Sequence, residues 1–314
     1  MNVKNLKKIE LHLHLDGSVR EKTAKNILGY SVNLKANEKC EDLKEYLTMF
    51  DIPIKLMQTK ENLEIITKEL IEDLISDNVI YAEIRFSPLD HIRGGLSLNE
   101  VVETVLDSIK SDKIKTKLIL CMRRDFEQNQ NMKVIDIAYK YNLPVDLVGD
   151  EANYNTSKYK DLFLYANSKG LKYTIHSGEA DGASSINKAI EFGAKRLGHG
   201  IRAIESNECI KKLIDNNITL EVCPTSNVQT DVIKSYKDHP IKKLMDLGVL
   251  VTVSTDNNTV SNITLSEEYQ KLVDNFNFTK EDFLRINLNA IEAAFTSTEN
   301  KEILKKEILQ NYKI

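Results

Sequence analysis

No hydrophobic run in this 314-residue chain approaches the roughly 20 apolar residues that a membrane-crossing helix needs. Nor do the first residues, MNVKNLKKIELHLHLDG, contain an apolar stretch of signal-peptide length. The expected compartment is therefore the cytoplasm, away from membranes. Cysteine is sparse: Cys40, Cys121, Cys209 and Cys223 lie far apart without C-x-x-C spacing. That spacing forms no recognisable zinc cluster and suits reduced thiols better than a disulfide framework. Positive charge is not in excess. With 43 Lys and Arg against 47 Asp and Glu the net charge is -4, which argues against a nucleic-acid binder. No low-complexity stretch or linker divides the chain. Residues 1–314 are expected to form one domain, with no obligate protein partner evident.

What is present begins with Ile9-Glu10-Leu11-His12-Leu13-His14-Leu15-Asp16-Gly17. The segment alternates as a strand does, and strand residues two apart point the same way. His12 and His14 therefore share one face, where two imidazoles can hold one divalent metal. Leu11, Leu13 and Leu15 face the other way, ready for burial. Asp16 and Gly17 end the strand in a turn. A single H-x-H pair arises easily by chance, so its meaning depends on ligands elsewhere.

Further short apolar runs recur at 79–86, 117–122, 144–149, 173–176, 196–200, 219–223 and 250–255. Helix patterns stand between them, near 61–78, 98–111, 129–141, 158–169, 184–193 and 206–216. In the first, Leu63, Ile66, Leu70, Leu74 and Ile75 repeat at three- and four-residue steps. Gly170, Gly193 and Gly248 sit where helices should stop. This alternation predicts an α/β fold, a closed parallel (β/α)8 TIM barrel with additional helices. The competing doubly wound sheet would place G-x-G-x-x-G after its first strand, and H-x-H-x-D-G stands there instead. Two segments fall outside the rhythm. Residues 18–60 are long enough to lie over a barrel mouth as a lid, and 265–314 read as helical. Tyr46, Leu47 and Phe50 fit either an apolar wall of that lid or an ordinary amphipathic face.

In such a barrel the chemistry gathers at the C-terminal ends of the strands. Those ends hold, in order, His12, His14 and Asp16; Gly149-Asp150-Glu151; His176-Ser177-Gly178-Glu179; Gly198-His199-Gly200; and Ser254-Thr255-Asp256-Asn257. Four of the six histidines fall there, a concentration beyond chance placement. His91 and His239 fall in loops or helix starts and read as surface residues. Asp146 and Glu151 read as buried or loop carboxylates, with support of the site as the alternative. Three imidazoles and one carboxylate suit a borderline cation such as zinc, which lowers the pKa of a water toward neutrality. Glu179, three residues past His176, can reach a substrate atom beside such a metal. His199 can take or orient a proton of the water. A metal, an acid and a base at one mouth predict hydrolytic attack on an electrophilic carbon.

These residues lie in IELHLHLDGS, VGDE, HSGE, RLGHG, EVCPTSN and VSTDN, which match in order the motifs of the adenosine deaminase family. The chain resembles these metal-dependent barrels of the amidohydrolase superfamily from about residue 9 to 295. The resemblance implies one zinc ion per chain, held by His12, His14, His176 and Asp256. It implies that Glu179 protonates purine N1 and that His199 orients and deprotonates the attacking water. Ammonia would then leave C6 of adenosine or 2'-deoxyadenosine, a purine-salvage reaction with a purine nucleoside as partner. It also implies that the Gly149 N–H meets purine N3 and that Asp16, with His14 nearby, holds the ribose 5'-hydroxyl. Asn257 stands where the family often has Asp, facing N7, and an Asn amide donates at any pH. A plain turn role for Gly149 stays open.

The nearest alternative is the same chemistry on another 6-aminopurine, adenine or a modified adenine nucleotide. Asp16 favours a neutral 5'-hydroxyl over a 5'-phosphate. A two-metal hydrolase would want a lysine after the fourth strand, where Gly149-Asp150-Glu151 stands. An inactive binding barrel would not need every catalytic position filled. The cytidine-type zinc deaminases use H-x-E with P-C-x-x-C, and Cys223-Pro224 reverses that order.

Overall fold

Eight short parallel strands carry the fold. They are β1 (Lys8–His14), β2 (Val79–Phe86), β3 (Lys115–Arg123), β4 (Val145–Val148), β5 (Ile175–Ser177), β6 (Arg196–His199), β7 (Thr219–Val222) and β8 (Leu250–Val253). The computed structural model describes residues 1–313; Ile314, the end of the predicted helical tail, lies outside the described residues. β1 to β4 pair in order as one sheet, and β5 to β8 as a second. Two bridges close the circle, Val145 with Tyr173 between the sheets and Leu13 with Asp256 between the first and last strands. At the latter seam the His14 N–H donates to the Asp256 carbonyl at 2.8 Å, and the Asp256 N–H to the His12 carbonyl at 2.9 Å. The predicted (β/α)8 barrel is the observed one, with its strands at the predicted apolar runs.

Alternation decides what each strand face meets. Ile9, Leu11 and Leu13 of β1 join the hydrophobic core. Glu10 and His12 are equally buried but bond across the barrel to Thr255 and Glu221. The interior is charged where most such barrels are filled by branched apolar layers. Arg85 pairs with Asp146 at 2.6 Å and Glu221 at 2.8 Å; Arg196 pairs with Glu83 at 2.6 Å and Glu221 at 2.7 Å. Each of these buried charges faces one of opposite sign, as burial demands.

The outer helices obey local rules. Lys60–Ser76 starts at Thr59, whose side chain accepts the Asn62 N–H, and it buries Leu63, Ile66, Leu70 and Leu74. Leu98–Ser108 starts in a capping box of Ser97 and Glu100. Lys160–Ser168, Ala183–Glu191 and Ile241–Asp246 end just before Gly170, Gly193 and Gly248. Within 18–60, Glu21–Leu28, Leu43–Leu47 and Asp51–Leu56 are helical. Tyr46, Leu47 and Phe50 from this segment line the cavity at the barrel mouth, so the apolar-wall reading holds. The tail forms Leu265–Phe276, Lys280–Ala293 and Thr298–Asn311.

Two expectations fail. His91 and His239 are not at the surface; they are 0% and 3% exposed. His91 lies under the lid, with Nδ1 3.2 Å from the Met57 carbonyl and its ring 5.6 Å from that of Phe86. His239 is drawn under the segment that follows β7, against Asn227. A loop position did not mean exposure, because other segments cover both loops. All four cysteines are free and buried. Among the described residues no helix is long and apolar enough to cross a membrane.

Candidate active site

Ligand-type atoms of His12 and His14 on β1, His176 on β5 and Asp256 just after β8 all lie within 4.8 Å of one another. Nε2 of His14 and Nε2 of His176 are 3.3 Å apart. Asp256 Oδ1 stands 3.3 Å from His12 Nε2 and 3.4 Å from His14 Nε2. The far sides of two rings are occupied: Glu221 Oε2 is 2.9 Å from His12 Nδ1, and Asp146 Oδ2 is 3.0 Å from His176 Nδ1. A carboxylate at Nδ1 keeps a proton there and leaves the Nε2 lone pair facing inward. His12 Nε2 is buried with no hydrogen-bond partner. Burial pushes the His14 and His176 imidazoles below their ordinary range, which favours neutral rings. Burial alone would raise the Asp256 carboxyl, but the imidazoles of His12, His14 and His199 hold it well below the usual range. An orphaned nitrogen on His12, imidazoles pushed toward the neutral form at His14 and His176 and an ionised carboxylate around one point fit a borderline divalent cation.

Two of the site residues have unusual backbones. Asp256 has φ +62° and His199 φ +60°, in the left-handed region that side chains disfavour. Such a conformation costs about 1–3 kcal/mol and persists only where neighbours enforce it. At Asp256 the seam hydrogen bonds with β1 do so.

Glu179 and His199 face each other, with Oε2 and Nε2 3.5 Å apart. Burial, then the carboxylates of Asp256 and Glu151, push Glu179 well above the usual carboxyl range. Burial holds His199 well below the usual imidazole range. Both shifts favour the uncharged form of each group. Glu151, which the sequence left without a firm role, builds the Glu179 loop. Its carboxylate accepts the backbone N–H groups of Gly178 at 2.7 Å, Glu179 at 3.0 Å, Ala180 at 2.9 Å and Asp181 at 3.1 Å, and the Ser185 hydroxyl.

Every predicted site residue except His12 lines one cavity of about 290 Å³, and His12 is buried among the ligands behind it. Gly149 turns there with φ +104°, a conformation that needs glycine. Asn257 donates from Nδ2 to the Tyr46 hydroxyl at 2.9 Å, and that oxygen lies 2.6 Å from Ser261 Oγ. A Cβ at Gly17 would stand 1.8 Å from Asn257 Oδ1, so the Asp-Gly turn makes room for Asn257. Asp16 is buried, and burial with the nearby Asp90 charge pushes it up to about 7. Arg123 at the mouth is already spanned by Asp90 at 2.9 Å and Asp125 at 2.7 Å.

Sequence reasoning missed Arg85, Glu221, Ser226, Asn227 and His239. Ser226 Oγ donates to Asp256 Oδ2 at 2.6 Å. The available signal was charge at inward positions of buried strands, Arg85 on β2 and Glu221 on β7, which burial permits only in pairs.

A ligand-type cluster sunk in a barrel mouth beside a carboxyl pushed toward its acid form is suited to adding water to an electrophilic carbon. Fold and site together define the amidohydrolase class of metal-dependent barrel hydrolases. Within it, the adenosine deaminase family profile matches residues 7–311, and the chain belongs to that family. It is 40% identical to the adenosine deaminase of Clostridium acetobutylicum, covering 98% of this chain and 100% of that one. It is 36% identical to the adenosine deaminase of Haemophilus ducreyi, covering 97% and 96%. Among solved structures, the Arabidopsis N6-mAMP deaminase superposes with a TM-score of 0.89 at 27% identity, covering 98% of this chain and 99% of that one. The adenine deaminase of Arthrobacter aurescens shares the fold, with a TM-score of 0.91 at 24% identity, covering 98% and 100%.

Proposed function

We propose that this chain is an adenosine deaminase, converting adenosine and 2'-deoxyadenosine to inosine and deoxyinosine with release of ammonia. The observation that carries the reading is the cation-ready cluster sharing one cavity with Glu179, whose carboxyl burial pushes toward its acid form. His12, His14, His176 and Asp256 would hold one zinc ion. Bound there, zinc would lower the pKa of a water toward neutrality and so supply the nucleophile.

The chain's own groups do the rest. Glu179 presents its proton to purine N1 and draws electrons from C6. His199, its Nε2 3.5 Å from Glu179, holds the attacking oxygen against C6. The oxygen of water ends on C6. One of its protons returns Glu179 to the acid form and the other completes ammonia. The Gly149 N–H would meet N3 and the Asn257 amide N7, while Asp16 with His14 would hold the ribose 5'-hydroxyl.

The mouth supports a nucleoside over its monophosphate. Asp16, Asp90 and Asp125 line it, and the Arg123 guanidinium beside them is already paired. A 5'-phosphate there would face carboxylates. The whole chain would act as one catalytic domain, in the cytoplasm, in purine salvage; its four free cysteines are consistent with that compartment. The test is ammonia release from adenine, adenosine, deoxyadenosine and adenosine monophosphate, with metal analysis of the same sample. Adenosine should turn over fastest with one zinc per chain. Faster turnover of adenine or the monophosphate would overturn the substrate.

A further inference from the structure

A line of hydrogen bonds runs from a backbone amide to the reactive side of His199. It starts at Ile241, whose backbone N–H donates to His239 Nδ1 at 3.2 Å. A backbone N–H can only donate, so this Nδ1 accepts, and the proton of the neutral ring sits on Nε2. His239 is neutral because burial drives it down to about 3. Its Nε2 lies 3.2 Å from Asn227 Oδ1, so the amide has to turn its oxygen toward that N–H. The other end of the amide, Nδ2, then faces His199 Nδ1 at 3.1 Å. An amide N–H also can only donate. His199 Nδ1 is therefore an acceptor, and the proton of its neutral ring sits on Nε2, the atom 3.5 Å from Glu179. With the Ile241 end fixed, any other assignment sets N–H against N–H, or lone pair against lone pair, at a buried contact. Such a contact leaves a buried donor or acceptor unpaired.

We propose that His239 and Asn227 are positioning residues that hold His199 in its Nε2–H tautomer, so that His199 serves as a hydrogen-bond donor to the attacking oxygen and not as its base. The tautomer stands on geometry alone, while its part in turnover rests on the deaminase reading above. The expectation that His199 deprotonates the water required a lone pair on Nε2, and this relay withholds it. A donor aimed at that oxygen gains strength as negative charge grows there in the transition state; a lone pair would oppose the same charge. Neither Asn227 nor His239 lines the cavity, so both act through the ring they orient. Asn227 lies in the short helix Pro224–Gln229, and His239 lies just before Ile241–Asp246.

Nitrogen-15 NMR of histidine-labelled, zinc-loaded protein reads the tautomer directly, with the His199 signals assigned by their loss in His199→Asn. The wild type should carry the His199 proton on Nε2 at neutral pH. Asn227→Asp replaces the donor by an acceptor of the same shape. It should draw the proton to Nδ1 and lower kcat about 10–100-fold with little change in KM. His239→Gln, which still offers an N–H toward Asn227, should keep the Nε2–H form and most of kcat. A wild-type ring protonated on Nδ1 overturns the proposal, and so does Asn227→Asp that moves the proton yet keeps wild-type kcat. The wild-type spectrum decides the tautomer even should a variant fail to fold. Active enzyme with the Nδ1–H form sinks this relay alone; inactive protein with the Nε2–H form sinks the deaminase reading alone.

Discussion

Glu151 Oε2 accepts the backbone N–H of Glu179 at 3.0 Å, so one carboxylate holds another in place through the main chain. The same group takes three neighbouring N–H groups and a hydroxyl. Its negative charge is also one of the causes that keep Glu179 protonated, after burial and Asp256. Position and proton affinity of the acid thus depend on a residue outside the cavity.

Glu151→Gln should therefore act on rate and on pH dependence together. Glutamine turns an NH2 group toward backbone donors and loosens the loop. We expect kcat to fall about 10–100-fold, the scale of a misplacement near 1 Å. In the proposed mechanism Glu179 works in its protonated form, so activity should fall as pH rises through its pKa. Removing a negative neighbour lowers that pKa, so the alkaline limb of the kcat profile should move to lower pH. A limb that stays in place would rule out the charge effect.

Glu179→Gln should keep zinc and bind adenosine, because an amide of the same shape fills the same space. Without the proton for N1, kcat should fall about 100- to 10,000-fold. Calorimetric adenosine binding and metal content should stay near wild type. Near-normal turnover would remove Glu179 from the mechanism.

His12→Ala should lose both metal and activity, since its Nε2 has no other partner. Glu221→Gln, which weakens the contact at the far side of that ring and also the pairs with Arg85 and Arg196, should weaken zinc affinity about 10–100-fold. Dialysis against a chelator should abolish turnover and lower the melting temperature, and added zinc should restore both. Metal content unchanged in His12→Ala would refute the ligand set.

Arg85→Met should be severely destabilising. It strands Asp146 and Glu221 in the barrel interior, where Arg85 reaches them at 2.6 and 2.8 Å. Removing one partner of a buried pair costs about 3–5 kcal/mol. Urea unfolding measures it, and a loss under about 1 kcal/mol would mean the two acids are balanced by other groups.

His91 gives an acid-stability prediction. Burial drives its imidazole down to about 4, while an unfolded histidine titrates near 6.5. Between those values the unfolded chain takes a proton that the folded one refuses. The stability tied to a neutral His91 is whole above about pH 6.5 and drains away toward pH 4, by about 3 kcal/mol. His91→Gln can still donate to the Met57 carbonyl and should show a shallower loss. Denaturant midpoints at near-neutral and acid pH compare the two proteins, and parallel slopes would rule out His91 as the cause.

Whatever followed from local spacing was legible beforehand. His12 and His14 share a face because strand geometry permits nothing else, and the glycines after helices mark real helix ends. What was not legible depends on segments far apart in sequence meeting in space. Tyr46 from the lid meets Asn257 beyond β8. His239 is buried by a neighbour that no periodicity marks. Arg85, Asp146 and Glu221 each look like an isolated charge in an apolar run, and only the closed barrel shows them neutralising one another. Neither Asp146 nor Glu151 has a local pattern that separates support from a plain loop.

The seam between β1 and β8 has a consequence for how the protein is made. His12 and His14, two members of the ligand-type cluster, lie on the first strand. The carboxylate that completes the cluster, Asp256, lies just after the last strand, and its backbone forms the bridge that shuts the circle. A nascent chain that has not yet released residue 256 can have neither a closed barrel nor a full ligand set. Closure of the barrel and assembly of the cluster are thus one event, and a chain cut short of residue 256 cannot assemble the whole cluster.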